Sequence, residues 1–158
     1  MKWIVSLLFL PVLLCQCSTK SSELSERDLL REGMPITIKV PDSVDIKSMD
    51  WGLQKDITLQ GEGNYNLQIF SSQTTTPSMP KLVSQHKEMV RTNPYFAQFI
   101  QEDEDGFLYS TEVDSLTNFS FRHFKIQGDR EYIFQTGMIG TFTQEEAASL
   151  YQIAQEAK

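Results

Sequence analysis

Between Gly106 and Ile139 the large side chains recur at every second position, in three runs parted by turn residues. Phe107, Tyr109, Thr111 and Val113 form the first run, and Phe119, Phe121, Phe124 and Ile126 the second. Glu131 to Ile139 forms the third, after the turn sequence Gln127-Gly128-Asp129-Arg130. A period of two marks a strand with one face on a core. Strands joined by short turns pair antiparallel, because a parallel pair needs a crossover of a dozen residues or more. The stretch therefore predicts a three-stranded antiparallel meander. Within its second run the inward phase flips near Arg122-His123, the pattern a β-bulge would give.

A sheet of this kind needs layers to cover it, and the flanking sequence supplies helical spacing. Lys81 to Arg91 places Leu82, His86, Met89 and Val90 on one stripe, and Asn93-Pro94 ends it. Tyr95 to Ile100 reads as a further helical turn or two. Thr143 to Ala157 reads as a closing helix: Thr143 and Glu146 form a capping box, while Ala147, Leu150, Tyr151 and Ala154 share a face. Upstream, Ile36 to Val40 alternates as a strand ended by Pro41. Ile57 and Leu59, then Tyr65, Leu67 and Ile69, read as a hairpin turned at Gly61-Glu62-Gly63. Ser71 to Pro80 is a loop by composition. The order, strand, hairpin, helix, meander, helix, predicts an α+β fold with an antiparallel sheet packed between helices. About 125 residues suffice for one core without staples.

The two cysteines of the chain, Cys15 and Cys17, stand where an apolar run gives way to polar sequence. Met1 and Lys2 precede the apolar Trp3 to Leu14, too short for a spanning helix, which takes roughly 20 residues, but suited to an export signal. The stretch VLLCQCSTKSS resembles a bacterial lipoprotein signal, with Leu14 three positions before Cys17. The resemblance implies acylation and cleavage at Cys17, with Cys15 the alternative; ordinary cleavage after Cys17 is the competing reading. Residues 1–16 are then a signal peptide, 17–33 a tether and 34–158 the globular domain. Within the tether, Ser25 caps a short helix over Glu26 to Arg31. The domain holds no cysteine, which excludes disulfides and thiolate chemistry there.

The element order with the opening PITIKVPDSVDI and a closing helix resembles the PsbP-like fold, an antiparallel sheet sandwiched between helices, over about Met34 to Lys158. The resemblance implies a non-enzymatic binding module and no particular ligand, and no cofactor is expected. Fourteen Lys and Arg against 21 Asp and Glu give a net charge of −7, which disfavours nucleic acid as a partner. The expected role is a lipid-anchored protein of a bacterial, Bacteroidota-type cell envelope that binds another envelope component, a protein, through a sheet face or the loops around Gly106 and Trp51. An exported enzyme with a site assembled from scattered residues is the alternative.

Three features carry candidate chemistry. In QEDEDGFLYSTE, Asp103, Asp105, Gly106 and Glu112 match positions three, five, six and twelve of an EF-hand calcium loop, which would make a calcium-dependent module. Gln101 stands at position one, where a carboxylate belongs. The competing reading is an Asp-Gly turn between strands. His86 and His123, the two histidines, lack any metal-ligand spacing and read as packing residues; His86 on its apolar stripe should tolerate leucine. Asp42-Ser43-Val44 and Asp114-Ser115-Leu116 resemble the D-S/T-aliphatic site that Bacteroidota-type bacteria O-glycosylate on exported proteins, which implies Ser43 and Ser115 as acceptors. No G-x-S-x-G elbow and no Gly-rich phosphate loop occurs.

Overall fold

The structure is a computed structural model that describes residues 24–158. The apolar leader, Cys15 and Cys17 lie outside the described residues. Nine strands and two helices follow one another as β1 (Leu24–Asp28), β2 (Thr37–Pro41), β3 (Asp45–Asp50), β4 (Gln54–Gln60), β5 (Asn66–Gln73), α1 (Met79–Arg91), β6 (Phe96–Asp103), β7 (Gly106–Val113), β8 (Leu116–Gln127), β9 (Arg130–Thr136) and α2 (Gln144–Gln155). The fold is α+β. Seven strands make one antiparallel sheet in the order β3-β4-β5-β9-β8-β7-β6, and β1 pairs with β2 in a separate two-stranded sheet. No helix among the described residues is long and apolar enough to cross a membrane.

Two meanders build the large sheet. The first runs β3-β4-β5; α1 then carries the chain to the far edge, and β6-β7-β8-β9 returns until β9 pairs with β5. Alternation sends neighbouring residues to opposite faces. Ile57, Leu59, Leu67, Ile69, Leu108, Phe121, Tyr132 and Phe134 pack with α2 and with Ile36, Ile38 and Val40 of the small sheet's segment. Phe107 and Phe124 instead pack with Leu82, Val83 and Val90 of α1, and Ile133 lies against that cluster. Phe107 beside Leu108, and Ile133 between Tyr132 and Phe134, thus place α1 and α2 on opposite faces. The face under α2 is covered by α2 and by the small sheet's segment. The face under α1 is roofed only over β6 to β9.

Four expectations are corrected. Leu24–Asp28 is neither tether nor helix: it pairs residue for residue with β2, from Leu24 opposite Pro41 to Asp28 opposite Thr37. Leu29 and Met34 are fully buried, so the folded unit includes Leu24 to Gly33 and the expected boundary at residue 34 lies too late. Tyr95 to Ile100 is not helical but contributes to β6. No bulge interrupts β8, whose pairing with β9 is continuous from Arg122 to Gln127; its phase flips because it carries core residues on both faces. The third run ends as a strand at Thr136 and not at Ile139.

Helix α2 has the capping box. Glu146 N–H donates to Thr143 Oγ1 at 3.3 Å, and Thr143 N–H donates to Glu146 Oε2 at 2.8 Å, satisfying donors that a helix start leaves free.

Candidate functional site

The EF-hand residues do not assemble. Asp105 sits in the β6–β7 turn and Gly106 opens β7, but Glu112 lies six residues along that extended strand, on the order of 20 Å away. Asp103 is occupied within the fold: it accepts from Tyr151 Oη at 2.7 Å, from Gln101 Nε2 at 2.8 Å and from Gln155 Nε2 at 3.4 Å. Burial, reinforced by this carboxylate, raises the Tyr151 phenol above its ordinary range. The turn fits closely under α2. A Cβ on Gly106 would stand 2.6 Å from both Arg122 O and Tyr151 Oη.

His123 points to the same side. It is buried, its ring faces Phe134 and Tyr151, and Nδ1 lies 3.7 Å from Asp105 Oδ1. Burial lowers its pKa against the opposing pull of Asp105. Asp103 therefore latches the hairpin to α2 through Tyr151 and Gln155, while His123 packs beside them with its Nδ1 buried and without a hydrogen-bond partner. His86 serves the other face. Its Nδ1 accepts from Arg122 Nη1 at 2.7 Å, and its ring tilts over Phe124 at 4.8 Å. Ser43 and Ser115 occupy exposed turns after β2 and β7.

The unroofed half of the α1 face has a different character. Here β3, β4 and β5 present Met49, Asp56, Thr58, Gln60, Asn66 and Gln68, the alternates of the core residues Ile57, Leu59 and Leu67. Asp56, Asn66 and Gln68 are each 6% exposed. Yet Asp56 Oδ1, Asn66 Oδ1 and Gln68 Oε1 have no hydrogen-bond partner, and they are three of the six buried side-chain atoms among the described residues in that state. Buried polar groups are nearly always paired, so such a concentration on one patch calls for an explanation. Glu131 shows what the fold does with a structural carboxylate: it is equally buried but accepts from Thr75 N–H at 3.1 Å, Thr75 Oγ1 at 3.2 Å and Ser72 Oγ at 3.3 Å.

Part of the patch, without Asp56, forms a depression of about 210 Å³ lined by Met49, Thr58, Asn66, Gln68, Met138 and Ile139 with Gln60. Met49, Met138 and Ile139 are exposed, as are Trp51 and Leu53 in the β3–β4 turn. Asn66 also ties down the loop after β9, donating from Nδ2 to Ile139 O at 2.7 Å. Larger hollows lie between α1 and the acidic turn, about 750 Å³, and beside the start of α2, about 420 Å³. Neither is lined by an unpaired buried group.

In the sequence, the polar alternates of the β4–β5 hairpin look like an ordinary solvent face. Only the three-dimensional packing, with the loop after β9 folded against Asn66, reveals that they are buried and unpaired. No family model matches the chain, and no curated protein is significantly similar to it.

Proposed function

We propose that this chain is an exported protein held in a bacterial cell envelope by acylated Cys17, and that its PsbP-like domain binds another envelope component without catalysing a reaction. The observation that carries the reading is the unroofed half-face: buried unpaired acceptors on its strands and exposed Met49, Met138 and Ile139 beside Asn66 and Gln68. Contiguous exposed apolar side chains beside a polar recess mark an interaction surface. At the opposite side of the sheet Tyr151 bonds Asp103, while His123 Nδ1 is buried without a hydrogen-bond partner.

The anchor and the face are tested separately. Expressed in its bacterium, the protein should label with an alkyne fatty acid and its mature mass should begin at Cys17. Cys17→Ala should abolish the label and Cys15→Ala should keep it. A mature chain beginning at Ser18 without label would mean plain secretion. For the face, a component captured from detergent-solubilised envelope should be lost by Met49→Glu and Ile139→Glu. Retention by both folded variants would remove the half-face from the interface.

A further inference from the structure

We propose that Met138 and Ile139 insert into the interfacial layer of a lipid bilayer, the same bilayer that holds the acyl chain on Cys17. The inference rests on the anchor proposed above, and it sets the rim of the half-face at the membrane, where the component bound there is met. Between Thr136 and Thr141 the chain reads Gly-Met-Ile-Gly, with no polar side chain. Met138 is 81% exposed and Ile139 80%. Exposed apolar residues scattered singly are ordinary, but an adjacent pair held out by a fixed loop calls for an apolar neighbour. The loop is fixed at three points. Gly137 N–H donates to Asn66 O at 2.8 Å, Asn66 Nδ2 to Ile139 O at 2.7 Å and Asn64 Nδ2 to Thr141 O at 3.2 Å. Phe142 is buried beyond it, with its N–H on Asn118 Oδ1 at 2.7 Å.

Where the chain enters the domain decides what this pair meets. Leu24 stands opposite Pro41 and lines one hollow together with Gly63, Asn64 and Glu145. Asn64 in turn holds Thr141, so the entering chain and the Met138–Ile139 loop share one end of the molecule. Seven residue steps separate Cys17 from Leu24, a reach of about 25 Å at full extension. An acyl chain on Cys17 thus keeps this end close to the headgroups. Trp51 and Leu53, the exposed apolar residues of the β3–β4 turn, lie at the other end of β4, about 20 Å along the strand. Glu62, Glu145 and Glu146 line the hollow beside Leu24, and no basic residue does. The contact is therefore apolar and draws nothing from anionic lipid. Insertion is shallow. Ile139 O is already bonded, and the other backbone groups of the loop stay at a depth that water reaches.

The test places the acylated protein, its signal removed, in phosphatidylcholine vesicles with or without lipid brominated along one acyl chain. Once Trp3 has gone with the signal, Trp51 is the one tryptophan left. Standing at the far end, it should emit alike in both kinds of vesicle. In Trp51→Phe with Ile139→Trp, emission should shift to shorter wavelength on vesicles and lose intensity when brominated lipid is present. Trp51→Phe with Met138→Trp serves as a second probe should the first misfold. Probes left unquenched in a folded, vesicle-held protein would overturn the insertion, as would equal quenching of Trp51. The anchor and the loop fail differently. A protein that carries no acyl chain and stays off the vesicles sinks the anchor, and the insertion with it. An acylated, vesicle-held protein unquenched at residue 139 keeps the anchor and loses the loop. If Ile139→Glu then still releases the captured component, the pair belongs to a protein interface instead.

Discussion

Arg122 Nη1 lies 2.7 Å from His86 Nδ1, tying the middle of α1 to the inner strand β8. The guanidinium is always protonated, so it donates, and the imidazole is held neutral with its proton on Nε2. Burial first, and the Arg122 charge second, push the His86 pKa down to about 4.

This pair makes the domain acid-sensitive in a defined window. The unfolded chain takes up a proton near pH 6.5 that the folded His86 refuses until about pH 4. Its contribution is therefore fully present above pH 6.5 and is lost as pH falls toward 4. Discounted for partial exposure, the loss is on the order of 1–2 kcal/mol. Chemical denaturation between pH 7.5 and 4.5 should show the fall, and His86→Gln, which can still accept, should flatten it. An unchanged slope would remove His86 as the cause.

The same geometry reverses the sequence-based expectation that leucine would be harmless at position 86. His86→Leu strands a guanidinium whose Nε is already buried and unpaired, at a cost of about 1–3 kcal/mol. Adding Arg122→Met should recover most of that loss, since it removes the stranded charge with its partner.

Gly106 is the tightest point of the latch. Its substitution by alanine should destabilise by about 1–3 kcal/mol, because the Arg122 carbonyl in the way is backbone and cannot swing aside. Tyr151→Phe alone should cost about 1 kcal/mol for the bond to Asp103. Combined with Gly106→Ala it should relieve only part of the clash. Thermal melts of the three variants decide it, and full recovery in the double variant would place the strain at the hydroxyl alone.

What the sequence concealed has physical causes. Phe96, Phe99 and Ile100 stand at helical spacing, yet β6 is an edge strand with register shifts between Phe96 and Gln98 and between Phe99 and Gln101. The first shift turns Phe96 and Phe99 to one face, where they pack against the α1 cluster, while Ile100 meets the other core. Bulges thus converted a period of two into an imitation of a period near three and a half. β3 was invisible for the opposite reason: one side of Asp45–Asp50 meets the unroofed half-face, and little but Ile46 contributes to the core. The meander, the β4–β5 hairpin, α1 and α2 were legible because each lays a regular apolar period against a complete layer. The burial of Asp56, Asn66 and Gln68 was not, because it depends on how distant segments pack and not on any local pattern.

The β7–β8 turn offers a gain in stability. Asp114 and Ser115 hold φ at 47° and 68°, left-handed conformations in a two-residue hairpin loop. Such loops favour Asn-Gly, since glycine adopts positive φ without the penalty a side chain brings. Asp114→Asn with Ser115→Gly should raise stability by about 1 kcal/mol. A lower melting temperature would mean that the side chains have contacts outweighing the strain.

The last prediction concerns where the folded unit begins. Leu29 and Leu30 are adjacent leucines in what reads as a tether, and a tether would be indifferent to either. In the structure Leu29 is wholly buried while Leu30 is 62% exposed. Leu29 N–H donates to Ile36 O at 2.9 Å, and Met34 N–H returns to Leu29 O at 3.0 Å, which clamps the side chain beneath the small sheet. Leu29→Ala opens a cavity in a core that β1 and β2 close, so it should cost about 2–5 kcal/mol. Leu30→Ala should change stability by no more than about 0.5 kcal/mol. Urea unfolding of the two variants separates the cases: equal, negligible effects would return residues 24–33 to the tether, and a large loss confined to Leu29→Ala fixes the start of the domain upstream of it.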